Sequence, residues 1–165
     1  HQFSDKNLYG EYCLLTMHKA ENTTKDVLPK RIRQISEVNL KVVYPIHPRT
    51  KKCLKEYSIA IPDNLLLIEP VGWLELMGLV KHAQFVFTDS GGLQKEALWH
   101  GKHCFTLRNE TEWIETFEQK SNFIVREEDS LDVTTIHYGD FTNPFGDGNS
   151  SEKIVEIINN KFHRE

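Results

Sequence analysis

The stretch from Thr88 to Leu98 has the clearest capacity for chemistry. A strand-type run ends in Asp89-Ser90-Gly91-Gly92, and a helix-type sequence follows. The N–H groups of a first helical turn lack intrahelical partners, and two glycines let a phosphate approach them closely. Glu96 lies one turn further, where its carboxylate could accept hydrogen bonds from a ribose hydroxyl pair. The spacing is neither a Walker motif nor G-x-G-x-x-G, so an ordinary strand-to-helix turn is an equally good interpretation.

Histidines follow two other strand-type runs. His18, next to Lys19, could hold a diphosphate or act as an acid near neutral pH, or it could be a surface histidine in a polar loop. His47 could contact a ligand or cap the end of its strand. A glycine separates His100 from His103, so one helical face cannot present both rings, and no metal site is expected.

Alternating strand-type and helix-type segments must position these residues. Strands are predicted at 12–17, 41–46, 65–68, 84–88, 103–107 and 123–125, with helices between most of them. This alternation predicts a single Rossmann-like domain of the α/β class, a doubly wound parallel sheet of about six strands. Ligands of such sheets bind beyond the carboxyl ends of the strands. His18, His47, residues 70–72 and 89–92, and Arg108 should therefore converge on one crevice.

Composition excludes several classes of protein. The chain has 165 residues, a length typical of one domain, and its 20 basic and 24 acidic side chains give a formal net charge of −4. Such a chain lacks the basic surface that binds nucleic acid. No apolar run approaches the roughly 18 residues of a membrane span, and no signal peptide is predicted. A cytoplasmic protein is expected, whose natural chain starts before His1.

The cysteines and one apolar helix lead to expectations about the core. Cys13, Cys53 and Cys104 are odd in number, and each lies in an apolar run, so three buried, reduced thiols are predicted. Trp73 and Leu74 begin a helix-type segment whose apolar residues are typical of a core-facing helix rather than of a base-stacking surface.

Four stretches together resemble the C-terminal half of the non-hydrolysing UDP-N-acetylglucosamine 2-epimerase family. They are Thr16 to Asn22, Tyr44 to His47, Thr88 to Glu96, and Asn143 to Gly148. The resemblance implies a two-lobe, GT-B-like enzyme with the substrate between its lobes. Residues 1–165 would be the C-terminal UDP-binding lobe, without the catalytic first lobe. An irregular connection is expected at 126–149 and a final helix at 151–162.

The resemblance also implies roles for individual residues. His18 would be catalytic, at the diphosphate and close to the leaving oxygen. The residues implied in UDP binding are His18, Val71, Leu76, Ser90, Gly91, Gly92, Glu96, Arg108 and Trp113. Lys19 and His47 would line a second site, where substrate acts as an activator. Trp113 stands where the family has a nucleotide-contacting arginine, and such departures resemble the branch acting on modified UDP-sugars.

The implied activity is interconversion of gluco and manno epimers by elimination and re-addition of UDP, without a cofactor. The implied partners are a UDP-sugar, the first lobe, and a second copy of the full-length protein, in surface polysaccharide biosynthesis. Two alternatives remain open from the residues. One is the donor-binding lobe of a glycosyltransferase, and the other is a non-catalytic nucleotide-binding module.

Overall fold

A parallel sheet organises the fold. The computed structural model describes residues 12–118, 120–131, 133 and 142–162. Within these residues, six strands lie in the order β3-β2-β1-β4-β5-β6, and all neighbours pair in parallel. They are β1 (Tyr12–Thr16), β2 (Lys41–Pro45), β3 (Leu65–Ile68), β4 (Phe85–Thr88), β5 (His103–Thr106) and β6 (Asn122–Ile124). The predicted Rossmann-like α/β fold is confirmed.

Helices form the connections between these strands. They are α1 (Leu28–Ser36), α2 (Pro48–Glu56), α3 (Trp73–His82), α4 (Gly91–Trp99) and α5 (Ile114–Glu118), and α6 (Ser150–Phe162) follows the sheet. A 3₁₀ turn covers Ala20–Thr23. The strand order reverses direction between β1 and β4, which are neighbours although two strands separate them in the chain. In open α/β sheets the crevice at such a reversal is the usual ligand site.

The core lies on both faces of the sheet. Successive strand side chains point to opposite faces, and both faces are covered over most of the sheet, so the strand centres are apolar. Tyr44, Phe87 and Phe105 belong to one buried cluster. The residue that directly precedes each of these aromatic residues belongs to the second buried cluster, on the opposite face; these residues are Val43, Val86 and Cys104. The two clusters hold the strands, and thus the strand ends at the crevice, in fixed register.

Two expectations about burial are wrong. Trp73 and Leu74 are 62% and 79% exposed, because the first turn of α3 lies at the edge where the strands end and finds less sheet to pack against. Further along α3, Met77 and Val80 are buried as the pattern predicts. Cys53 is only partly buried at the margin of a core cluster, whereas Cys13 and Cys104 are fully buried.

The final helix stands apart from both core clusters. None of the residues of α6 is buried, and its apolar residues are exposed, namely Ile154, Val155, Ile157, Ile158 and Phe162. Throughout the described residues, the helices are too short or too polar to span a bilayer.

The two buried thiols predict a loss of stability in alkali. Burial raises the pKa of Cys13 and of Cys104 to about 12. An unfolded thiol ionises at about pH 8.5–9, so above this pH the unfolded chain binds fewer protons than the folded chain. The free energy of unfolding should fall with rising pH, by up to about 1.4 kcal/mol per pH unit for each thiol. Urea titrations from pH 8 to 10 measure this slope.

Cys53→Ala provides the control, because Cys53 is not fully buried. Its slope should equal that of the native chain. A native slope of zero across this pH range would contradict the prediction.

Candidate functional site

One buried carboxylate joins the ends of β1 and β4. Asp89 is 0% exposed, and its Oδ2 accepts hydrogen bonds from the backbone N–H groups of His18 at 3.0 Å and Lys19 at 2.8 Å. The same oxygen accepts a bond from Asn22 Nδ2 at 3.1 Å. Three donors on one anionic oxygen fix the loop after β1 against the start of α4.

The ring of His18 lies at this junction. Its Nδ1 is 3.5 Å from Asp89 Oδ1, and its side chain remains 46% exposed. The exposed part of the ring is open to a ligand on the solvent side.

The start of α4 presents backbone donors beside His18. Ser90 is the N-cap, and its Oγ accepts from Leu93 N at 3.5 Å. The N–H of Ser90 itself donates to Thr88 Oγ1 at 2.9 Å. Gly91 and Gly92 are the first helical residues, so their N–H groups have no intrahelical acceptor. These two N–H groups and the Ser90 hydroxyl proton can donate hydrogen bonds to an anion.

The implied ribose and uracil residues also lie close together. Glu96 Oε1 accepts from Trp73 Nε1 at 2.9 Å, which joins α4 to the first turn of α3. Val71 and Leu76, before and within α3, are partly buried against the core cluster beneath these helices. One oxygen of Glu96 is therefore engaged by Trp73, and Oε2 is left to accept from another donor.

Arg108 is held by carboxylates. Its Nη1 lies 2.8 and 2.7 Å from the two oxygens of Glu112, and its Nε lies 3.6 Å from Glu21 Oε1. The hydrogen bond to Glu112 raises the pKa of Arg108 and lowers the pKa of Glu112. A Cβ on Gly91 would lie 3.6 Å from Glu112 Oε2. Arg108 thus neutralises a carboxylate that borders the anion site.

Trp113 lies on the other side of the same glycine. A Cβ on Gly91 would lie 3.5 Å from Trp113 Nε1. The backbone N–H of Trp113 donates to Thr111 Oγ1 at 3.1 Å, and this hydroxyl donates to Gln94 Oε1 at 2.6 Å. Gln94 is fully buried, so this chain of bonds ties the loop before α5 to α4.

Lys19 and His47, the residues implied at a second site, also follow the carboxyl ends of strands. Lys19 is partly buried and follows His18. His47 is exposed and is the N-cap of α2, where its Nδ1 accepts from Arg49 N at 3.1 Å. Its ring centroid is 5.8 Å from that of His18. His47 is therefore a cap, as one of its two interpretations predicted, but it caps the start of α2 rather than the end of β2.

Sequence reasoning did not assign roles to Asp89, Asn22 or Gln94. All three lie within the stretches that carry the resemblance, and all are buried. A polar residue directly after a strand was a usable signal for Asp89. Among the described residues, no group of three or more His, Cys, Asp or Glu side chains could hold a metal ion.

Comparisons with known proteins identify the family of the chain. The family model for UDP-N-acetylglucosamine 2-epimerase matches residues 1–159. A UDP-N-acetylglucosamine 2-epimerase homolog from Methanococcus maripaludis is 42% identical over 91% of this chain and 45% of its own length. The UDP-2,3-diacetamido-2,3-dideoxy-D-glucuronate 2-epimerase of Pseudomonas aeruginosa is 33% identical over 89% of this chain and 44% of its own length.

A solved structure gives the same result. The UDP-GlcNAc 2-epimerase of Methanocaldococcus jannaschii, in complex with UDP-GlcNAc and UDP, superposes with a TM-score of 0.77. It is 37% identical, and the match covers 93% of this chain and 46% of that one. The chain thus spans somewhat less than half the length of these relatives. It belongs to the UDP-N-acetylglucosamine 2-epimerase family.

Proposed function

We propose that this chain is the UDP-binding half of a 2-epimerase acting on UDP-N-acetylglucosamine or a related UDP-N-acetyl-amino-sugar. The observation that carries the proposal is the junction of β1 with β4. There Asp89 holds the His18 loop beside the free N–H groups at the start of α4. A helix N-terminus with an adjacent imidazole suits the negative charge of a diphosphate.

The rest of the nucleotide would extend from this point toward α3. Glu96 is placed one turn along α4 from the anion site, with one oxygen available to ribose hydroxyls. Its bond to Trp73 brings the segment of Val71 and Leu76 close to it, which supports a uracil site there. Arg108 would act by neutralising Glu112, with its own guanidinium near the diphosphate.

The proposed reaction has two halves. A base removes the C2 proton, and the C1–O bond breaks with its electron pair passing to UDP. UDP then adds back to the resulting glycal as a proton returns to the opposite face of C2. Donors that are already oriented toward the diphosphate lower the barrier, because negative charge develops there when the bond breaks. This chain would supply those donors, with His18 closest to the leaving oxygen.

Further parts of the proposal concern the whole protein. Since the relatives are about twice as long, the partner of this half would be a first lobe that carries the base and covers the sugar. The neighbouring His18 and His47 rings support an activator site that includes Lys19. A cytoplasmic location and a homodimer of the full-length protein complete the proposal.

Replacing Glu96 with alanine tests the binding mode. The native chain should bind UDP, and Glu96→Ala should bind UDP about tenfold more weakly, because the ribose hydroxyls lose a charged acceptor. Affinity for inorganic pyrophosphate, which has no ribose, should change by less than about twofold. Isothermal titration calorimetry measures both constants.

Glu56→Ala is the matched control, because Glu56 is exposed at the end of α2. It should bind both ligands as the native chain does. Equal weakening of UDP and pyrophosphate by Glu96→Ala would remove Glu96 from the ribose role, and absence of UDP binding by the native chain would overturn the proposed function.

A further inference from the structure

Two charged side chains of opposite sign are buried in the part of the chain that the structure describes. They are Arg31, which is 3% exposed, and Asp89, which is 0% exposed. Removing a charge from water is costly unless an opposite charge and hydrogen bonds compensate for it. Asp89 joins the strand ends at the candidate site, and Arg31 lies on α1, the helix that follows the His18 loop in the chain.

The side chain of Asn22 bridges these two charges. Arg31 Nε donates to Asn22 Oδ1 at 3.0 Å, and Asn22 Nδ2 donates to Asp89 Oδ2 at 3.1 Å. A guanidinium only donates and a carboxylate only accepts, so the two charges fix which end of the amide faces each of them. Without Arg31 the amide could turn and present its oxygen to the carboxylate. A positive charge at the amide oxygen also makes the amide N–H a stronger donor.

The guanidinium is held on its other side by neutral acceptors. Arg31 Nη1 donates to Gln34 Oε1 at 3.0 Å and to the carbonyl oxygen of Val125, directly after β6, at 2.9 Å. These bonds fix the guanidinium in place without supplying a negative charge. The hydrogen bonds of Arg31 thus leave its charge available to the Asn22 bridge.

The other carboxylates near Arg31 are in contact with water. Burial lowers the pKa of Arg31, and the attraction of nearby carboxylates opposes this lowering. Besides Asp89, they include Glu127 and Asp129. The side chain of Glu127 is 35% exposed and lies 3.3 Å from Lys30 Nζ, and Asp129 is only partly buried. Asp89 has no such exposure, so its charge depends more strongly on Arg31.

We infer that Arg31 is a positioning residue for the His18 loop, as the counter-charge of Asp89 acting through the Asn22 amide. The inference rests on the proposed function, and it extends the site to a residue that does not touch the nucleotide. Arg31 keeps the amide turned toward Asp89, and the same carboxylate oxygen accepts from the N–H groups of His18 and Lys19. The place of the His18 ring beside the anion site thus depends on a guanidinium on α1.

Arg31→Met tests this role, because it removes the guanidinium and keeps a long side chain. Affinity for UDP and for inorganic pyrophosphate should each fall about tenfold, since the His18 loop loses its fixed place beside the anion site. In the Asp89→Asn variant the same change should cost less than about twofold, because no buried negative charge then needs compensation. Calorimetric titration of the native chain, the two single variants and the double variant measures this difference. A purely structural role of Arg31 would give equal losses.

Arg31→Lys and Arg31→Gln isolate the charge, and they keep the test decisive if Arg31→Met does not fold. The two replacements have similar lengths, and lysine alone keeps the positive charge. Arg31→Lys should bind pyrophosphate at least about threefold more tightly than Arg31→Gln. Equal affinities of these two variants would overturn the role of Arg31 as a counter-charge.

Asn64→Ala is the matched control, because it removes contacts at the other end of α1. Asn64 Nδ2 donates to the carbonyl oxygens of Ile35 at 3.0 Å and Val38 at 2.9 Å. Loss of these bonds should loosen the end of α1 without reaching the Asn22 bridge. Asn64→Ala should therefore bind both ligands as the native chain does.

A second measurement needs no ligand. Their bonds to Asp89 should make the amide protons of His18 and Lys19 exchange slowly with water. Relative to the amides of β1, Arg31→Met should speed this exchange at least about tenfold, and Asn64→Ala should not, as NMR can measure. Unchanged exchange in Arg31→Met, or a tenfold loss of affinity that persists with Asp89→Asn, overturns the inference while the proposed function stands. Failure of the native chain to bind UDP overturns both.

Discussion

When this chain alone is incubated with UDP-N-acetylglucosamine in heavy water, no deuterium should enter C2 of the sugar. Removing that proton needs a base within hydrogen-bond reach of C2. At the described site, Glu96 Oε1 is bonded to Trp73, Glu112 is paired with Arg108, and His18 faces Asp89. In the proposed binding mode, His18 and Glu96 are committed to the diphosphate and the ribose. An uncovered sugar would also lose any glycal to water.

Proton NMR of the recovered sugar measures the exchange. The full-length protein should deuterate C2 and form the second epimer, and adding the first lobe in trans should restore exchange if the two halves associate. Deuterium at C2 with this chain alone, above the rate without protein, would show that its own residues supply the base. The proposal that the first lobe supplies the base while this chain binds UDP would then be wrong.

Replacing Asp89 with alanine should cost about 4 kcal/mol of unfolding free energy. The change leaves the N–H groups of His18 and Lys19 and the amide of Asn22 without their shared acceptor. Hydrogen bonds to a charged group contribute about 1.5–3 kcal/mol each, and water entering the loop would compensate in part. Urea denaturation measures the loss. UDP binding should also weaken, because the His18 loop loses its anchor.

Asp26→Ala is the control, because Asp26 is an exposed residue in the loop before α1. Its unfolding free energy should stay within about 0.5 kcal/mol of the native value. Asp89→Asn should recover part of the stability, since one amide oxygen can still accept the two backbone bonds. An Asp89→Ala variant as stable as the native chain would show that the carboxylate does not hold the junction.

The sequence predicted the sheet well because its signals are local. Each strand is a short apolar run, and burial on both faces produces that pattern whatever the neighbouring strand is. The carboxyl-end rule then placed His18 and Ser90 at one edge. Trp73 and Leu74 are the counterexample, since helical periodicity shows which face is apolar but not whether sheet lies beneath every turn.

The sequence predicted which residues lie at the site, but not which hydrogen-bond partner each of them has. Asp89 stands in the most recognisable motif, yet its carboxylate serves backbone donors about 70 positions away. Composition and spacing cannot show which N–H a carboxylate will face. For the same reason the position of Lys95 over Trp113 emerges only when the loop after β5 is placed against α4.

The sequence separation across the β1–β4 junction also matters during synthesis on the ribosome. His18 and Lys19 leave the exit tunnel about 70 residues before the carboxylate that fixes them. Until β4 has emerged, β1 can pair only with β2, and the loop that carries His18 has no anchor. Closing so long a segment is entropically slow compared with local helix formation. The nucleotide site should therefore be among the last parts of the nascent chain to form. If translation pauses before β4 has been made, the part of the sheet that has already emerged lacks the binding site.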